Sequence, residues 1–156
     1  MNALESTSAV LANIVLPLMD GALLVPNATV AEVTIAWGLN SAIASPFMLG
    51  TLAWREQDIP VFSFEGLRDG VLPKGLKIRH IAVLYGISNR AKLPFFAVAL
   101  SGMPSIQRLI SADLAPLETQ PQALIHSVVR VVEQSLTIPD WDYMEQQIIA
   151  ALAIPD

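Results

Sequence analysis

The 156 residues suffice for one domain that buries about 70% of the surface its unfolded chain exposes, so a core can form without staples. Hydrophobic residues make up 53%, charged residues 15%, the mean hydropathy is +0.52 and the net charge is −5, an apolar and mildly acidic balance whose surplus can serve as contact surface. There is no cysteine, which excludes disulfides, thiolate catalysis and cysteine-based zinc or iron–sulfur sites, and a cytoplasmic location is expected.

In chain order, Met1 to Met19 opens without Lys or Arg, so it lacks the basic region of an export signal and reads as mature protein. Asn13 to Met19 and Ala22 to Pro26 are apolar runs separated by Asp20-Gly21, a strong hairpin signal. Asn27 to Val33 contains Thr29-Val-Ala-Glu32, a capping-box spacing that predicts a short helix with Val30 and Val33 on its inner face. Thr34 to Trp54 runs 21 residues without a charge, about bilayer length, but Gly38, Asn40, Ser41, Ser45, Pro46 and Gly50 break it, so membrane insertion is not expected. After a small-residue loop at Asn40 to Pro46 come the runs Phe47 to Trp54 and Ile59 to Phe64. The polar turn Arg55 to Asp58 between them predicts a second hairpin.

Glu65 to Lys77, with Gly66, Gly70, Pro73 and Gly75, reads as a loop dividing the domain. Ile78 to Ile87, Leu93 to Gly102 and Ser105 to Leu114 are three strand-length runs; Leu124 to Val132 and Ser135 to Ile138 complete the series, with Glu133-Gln134 as their turn. Residues 139–153 predict a C-terminal amphipathic helix, because Asp140, Asp142 and Glu145 favour a helix start and Trp141, Met144, Ile148 and Leu152 recur at three and four residues. The result is a mainly β, barrel-like architecture.

Charge is unevenly placed. Lys74, Lys77, Arg79, Arg90, Lys92 and Arg108 fall in residues 70–112 without an acid, a basic island that reads as a solvated rim or a patch for an acidic protein surface. A nucleic-acid interface would need those charges on one face among exposed aromatics, and is not expected. His80 and His126 are isolated, so no metal site is expected, and no nucleophile elbow or phosphate-binding glycine pattern occurs. Glu56 with Asp58 and Asp140 with Asp142 suit a turn and a helix start. Trp37, Trp54 and Trp141 suit core or interface anchors. No catalytic residue and no cofactor is expected.

One segment carries more specific information. The pattern Phe47-Met-Leu-Gly50-Thr-Leu-Ala-Trp54-Arg55-Glu-Gln-Asp-Ile59-Pro60-Val-Phe-Ser-Phe64, preceded by Val30-Ala-Glu32-Val33 and Pro46, resembles the signature hairpin of CheW-like domains. The resemblance implies a single domain over 10–152 made of two five-stranded SH3-like β barrels, with first-barrel strands at 14–64, second-barrel strands at 78–138 and terminal strands open to exchange. It implies a non-enzymatic adaptor that couples chemoreceptor tips to the regulatory domain of a CheA-like histidine kinase. Such a chain is a monomer alone and an array member in the cell. Within the family it is most similar to the auxiliary components of type IV pilus chemosensory systems, the ChpC type, which implies a role in twitching motility.

In that frame Trp54, Arg55, Glu56, Pro60, Val61 and Val98 are the candidate partner-binding residues: Arg55 presents a fork at a turn, Pro60 opens a strand, and Val61 and Val98 supply apolar contact area. Two positions depart from the family pattern. Glu56 stands where a glycine usually follows the arginine, placing an acid beside Arg55, and Ser63 stands where an aspartate commonly follows the proline by three. The rival expectation is a small-ligand-binding or hydrolytic β-barrel domain, which needs a pocket of convergent polar groups.

Overall fold

The strongest apolar runs of this sequence do not alternate, and the fold supplies the reason: their strands are covered on both faces. The computed structural model describes residues 11–36, 39–40 and 45–152; Trp37 and most of the loop expected at Asn40 to Pro46 lie outside them. β1 (Leu11–Leu18) and β2 (Gly21–Pro26) form the first hairpin, with Leu18 paired to Gly21, so Met19 and Asp20 make the turn. A single 3₁₀ turn (Asn27–Thr29) leads into β3 (Val30–Ile35). The helix expected at Asn27 to Val33 is therefore a strand. Thr29 Oγ1 donates to the Pro26 carbonyl at 2.7 Å instead of capping a helix, and the β-branched Val30, Val33, Thr34 and Ile35 prefer a pleated ladder.

β4 (Leu39–Asn40) is a two-residue stub, followed by β5 (Met48–Trp54) and β6 (Gln57–Phe62), the expected second hairpin. A bulge between Met48 and Gly50 bends β5, and Gly50 takes φ 143°, a conformation that favours glycine. Next comes α1 (Phe64–Asp69), where the sequence reads as loop. The helix forms because Ser63 Oγ accepts from the Gly66 N–H at 3.0 Å as its N-cap and Gly70, at φ 78°, closes its C-terminus. The glycines that mark a loop in the sequence here end a helix.

The remaining strands are β7 (His80–Tyr85), β8 (Phe95–Leu100), β9 (Ser105–Leu109), β10 (Ala115–Leu117), β11 (Ile125–Val131) and β12 (Gln134–Pro139), with a 3₁₀ turn (Ser111–Asp113) before β10. The chain ends its described part in α2 (Trp141–Leu152). Pro139 still belongs to β12, and Asp140 caps α2 by accepting from the Tyr143 N–H at 3.0 Å, so the helix starts two residues later than expected. No helix among the described residues is long and apolar enough to cross a membrane.

Pairing among the described residues gives two six-stranded sheets. One has the order β10-β11-β12-β2-β1-β9 and the other β3-β7-β8-β6-β5-β4. The five strands expected per barrel correspond to the longer members of each sheet; the stubs β4 and β10 bring each to six. Pairing does not follow a division of the chain at 64–78. β1 and β2 join β9 to β12, while β7 and β8 join β3 to β6, each insertion held by one parallel pair (β2–β12, β6–β8) and one antiparallel pair (β1–β9, β3–β7).

Three apolar clusters fill this arrangement. Leu52, Trp54, Ile59, Val61, Ile81, Val83, Ala97 and Ala99 all come from one sheet, which can bury them only by curling over itself. Val15, Ala22, Leu24, Leu109, Val129, Val131 and Leu136 do the same for the other. The third cluster lies between the sheets, where Leu16, Leu18, Leu23 and Val25 meet Phe62, Leu84, Phe96, Val98 and Leu100, with Met144 and Ile148 of α2 added. β8 shows the division: Phe96, Val98 and Leu100 face the shared core, Ala97 and Ala99 their own sheet.

α1 is tied to the β1–β2 turn. Arg68 Nη2 donates to Asp20 Oδ2 at 2.6 Å and Nε to Asp69 Oδ1 at 2.7 Å, while the buried Glu65 carboxylate accepts from the Met19 N–H at 2.8 Å. The hydrogen bond from Arg68 holds the Asp69 carboxyl below the usual carboxylate range. The bonds to Asp69 and Asp20 raise the Arg68 guanidinium in turn.

Candidate functional site

The β5–β6 hairpin builds the site. Trp54 pairs with Gln57, so the polar turn expected over Arg55 to Asp58 narrows to the two residues Arg55 and Glu56. Both take positive φ, 47° and 64°, the left-handed pair that a tight hairpin demands and that Asn-Gly adopts most easily. Neither residue has the freedom of glycine, and each left-handed residue costs about 1 kcal/mol.

The strain lifts Arg55 clear of the sheet. Its guanidinium carbon lies 4.3 Å from the centre of the Trp54 ring, and Nη2 stands 3.6 Å from Glu32 Oε1 on β3, yet the side chain remains 60% exposed. Trp54 beneath it is 6% exposed, and its indole N–H is buried with no hydrogen-bond partner among the described residues. Its ring meets Phe95 edge-on at 4.9 Å, and Phe95 meets Tyr85 at 5.5 Å. A row of aromatics thus runs beneath this end of the sheet from Arg55 to the strand next to β3.

The acid whose carboxylate faces the Arg55 guanidinium is Glu32 on β3, although Glu56 is its neighbour in the turn. Glu56 is exposed at the turn and forms no ion pair among the described residues. The capping-box spacing places Glu32 on a helix; its position as the one acid in the β-branched run Val30 to Ile35 is the signal that points to an exposed strand position.

Four of the expected contact residues, Trp54, Pro60, Val61 and Val98, lie inside. Val61 and Val98 have 0% exposure: Val61 fills the core of its own sheet and Val98 the core between sheets. They contribute packing and offer no contact area. Pro60 is also buried, and it sits within β6 rather than at its start, just ahead of the parallel pairing with β8 that begins at Val61. Ser63 keeps the capping role an aspartate would have there, and it adds a donor: its hydroxyl reaches Glu65 Oε1 at 3.2 Å.

His80 Nδ1 is buried with no hydrogen-bond partner among the described residues, and the exposed His126 has its Nδ1 3.2 Å from Ser127 Oγ on β11. Among the described residues no group of three His, Asp or Glu could hold a metal ion. Asp140 and Asp142 cap and decorate α2, where Asp142 accepts from Gln146 Nε2 at 2.8 Å.

Two six-stranded sheets curled over separate cores, fused through a third and closed by a C-terminal helix, define a double β-barrel-like scaffold. Its hairpin end carries the exposed Arg55. The chain matches no family model and no curated relative. Among solved structures it is similar to the scaffolding protein TtCheW from Thermoanaerobacter tengcongensis, with a TM-score of 0.68 and 12% identity over 85% of each chain. The fold is CheW-like.

Proposed function

We propose that this chain is a non-enzymatic adaptor, a single domain over 10–152 that couples chemoreceptor tips to the regulatory domain of a CheA-like histidine kinase. The observation that carries the reading is Arg55: on a fold shared with a scaffolding protein, a strained two-residue turn presents its guanidinium outward above a buried tryptophan. A guanidinium so placed can take a partner's carboxylate or carbonyls through its fork, with the exposed turn residue Glu56 as its neighbour. The edge strand β3 beside it offers backbone groups for the same partner. In this reading the chain works in the cytoplasm, is monomeric alone and is held in an array by many weak contacts. Its assignment to a type IV pilus system rests on sequence resemblance alone.

The test is binding of the cognate kinase regulatory domain, measured for wild type, Arg55→Ala and Glu56→Gly. Wild type binds, and Arg55→Ala weakens the complex about tenfold or more if Arg55 meets a desolvated carboxylate. Absence of binding by all three sinks the adaptor reading, and stronger binding by Glu56→Gly identifies Glu56 as a brake on coupling.

A further inference from the structure

The connection between β7 and β8 is held with unusual rigidity for a surface loop. The carboxylate of Glu145, fully buried in α2, accepts from the backbone N–H groups of Ile87, Ser88 and Asn89 at 2.7, 3.1 and 2.6 Å. Trp141 Nε1 donates to the Tyr85 carbonyl at 3.2 Å, and the Gly86 N–H donates to the Pro94 carbonyl at 2.8 Å. Every residue from 85 to 89 is therefore fixed through its backbone by a neighbour. On this fixed loop Ile87 is 54% exposed, and Arg90 is exposed with no ion pair among the described residues. The nearby Asp142 carboxylate is already engaged by Gln146.

Beside the loop lies a groove of about 620 Å³ lined by Ala28, Thr29, Tyr85, Gly86, Ile87 and Arg90, with Arg90 its sole charged member among the described residues. Tyr85 belongs to the aromatic row that reaches Arg55, so the groove continues the candidate site along the same end of the sheet. An exposed aliphatic side chain held rigid loses little entropy on burial, and an unpaired cation next to it selects a partner of opposite charge.

We infer that this groove docks a protein segment carrying a carboxylate next to an aliphatic side chain, with the aliphatic group against Ile87 and Tyr85 and the carboxylate on Arg90. The inference rests on the adaptor reading for the protein nature of the partner. It adds a second docking point, independent of Arg55.

The experiment needs neither kinase nor receptor. Isotope-labelled chain is titrated with a short capped peptide of alternating leucine and glutamate, with its leucine–lysine counterpart and with sodium acetate, and amide shifts are followed by NMR. The acidic peptide shifts the amides of Ala28, Thr29 and Tyr85 to Arg90, and Arg90→Glu weakens it at least about tenfold, as does Ile87→Ser to a smaller extent. Equal binding of the lysine peptide, identical shifts with acetate, shifts confined to other residues, or none at all overturn the inference. The adaptor reading fails separately, by loss of kinase binding in wild type while the peptide still binds.

Discussion

Arg55 covers Trp54. Its guanidinium carbon lies 4.3 Å from the ring centre, and the contact exists because the two residues that close the β5–β6 hairpin both adopt left-handed backbone. Geometry at this turn is thus set against conformational preference, and Glu56, at φ 64°, bears the strain without a compensating ion pair among the described residues. Glu56→Gly is expected to stabilise the fold by about 1 kcal/mol, raising the melting temperature by about 2–4 °C. Thermal denaturation followed by circular dichroism checks it; an unchanged or lower midpoint contradicts the strain.

Glu145 is fully buried, and its carboxylate accepts from the backbone N–H groups of Ile87, Ser88 and Asn89. Glu145→Gln replaces one accepting oxygen by a donor facing donors, and should destabilise by about 2–3 kcal/mol in urea unfolding. Hydrogen exchange should accelerate first at Ile87, Ser88 and Asn89. Uniform acceleration across the chain would mean that the carboxylate matters to global packing and not to this loop.

The surroundings of Ser63 account for a serine where the pattern of CheW-like domains commonly has an aspartate. Its hydroxyl accepts from Gly66 and donates to the buried Glu65 carboxylate, a double role that an ionised carboxylate cannot fill. Ser63→Ala is expected to cost about 1 kcal/mol through the lost cap. Ser63→Asp keeps the cap and yet should cost more, because it sets two carboxylates together out of water; adding Glu65→Gln should recover most of the loss. Urea unfolding of the single and double variants measures the coupling.

How far the sequence revealed this fold depends on what each residue reports. Runs such as Ile14 to Leu18 and Phe96 to Leu100 announce strands because both of their faces are buried, and the Gly50 to Phe64 pattern points to the right hairpin and the right fold. Sheet membership was hidden, since the parallel joins β2–β12 and β6–β8 link residues far apart in the chain and leave no local trace. Val61 and Val98 look like exposed strand valines until their second face is known to be covered. By position alone Glu145 reads as a favourable acid near a helix start. Its spacing, four after Trp141 and three before Ile148, already places it on the apolar stripe, where an acid needs buried donors.

The Arg68 clamp gives a pH dependence of known sign. The folded Asp69 carboxyl is held below its ordinary value of 3.8, so its stabilising contribution is fully present above that value and is lost as pH falls through the lower folded one. Arg68 stays charged throughout. Because the Asp69 side chain is 46% exposed, the contribution is expected to be below about 1 kcal/mol and to shrink in salt. Stability of wild type minus Asp69→Asn should therefore be positive and flat near neutrality and fall towards zero in acid. A difference that grows on acidification would overturn the assignment.

Gly86 tests whether the loop beside α2 is as close-fitting as its hydrogen bonds imply. A Cβ built there would lie 1.7 Å from the Leu93 carbonyl oxygen and 2.9 Å from its carbon, both backbone atoms that cannot rotate away. At Gly102 the nearest atoms are side-chain carbons of Pro17 at 3.8 and 3.9 Å, ordinary contact distances. Gly86→Ala should therefore cost about 3 kcal/mol or more, because β7 and β8 must part to admit the methyl group, and Gly102→Ala should cost less than about 1 kcal/mol. Urea unfolding of the two variants decides between a loop that merely follows its strands and one that fixes their separation. Equal effects at both sites would show that the approach of Gly86 to Leu93 relaxes freely, and would remove the rigid support on which the exposed Ile87 and Arg90 depend.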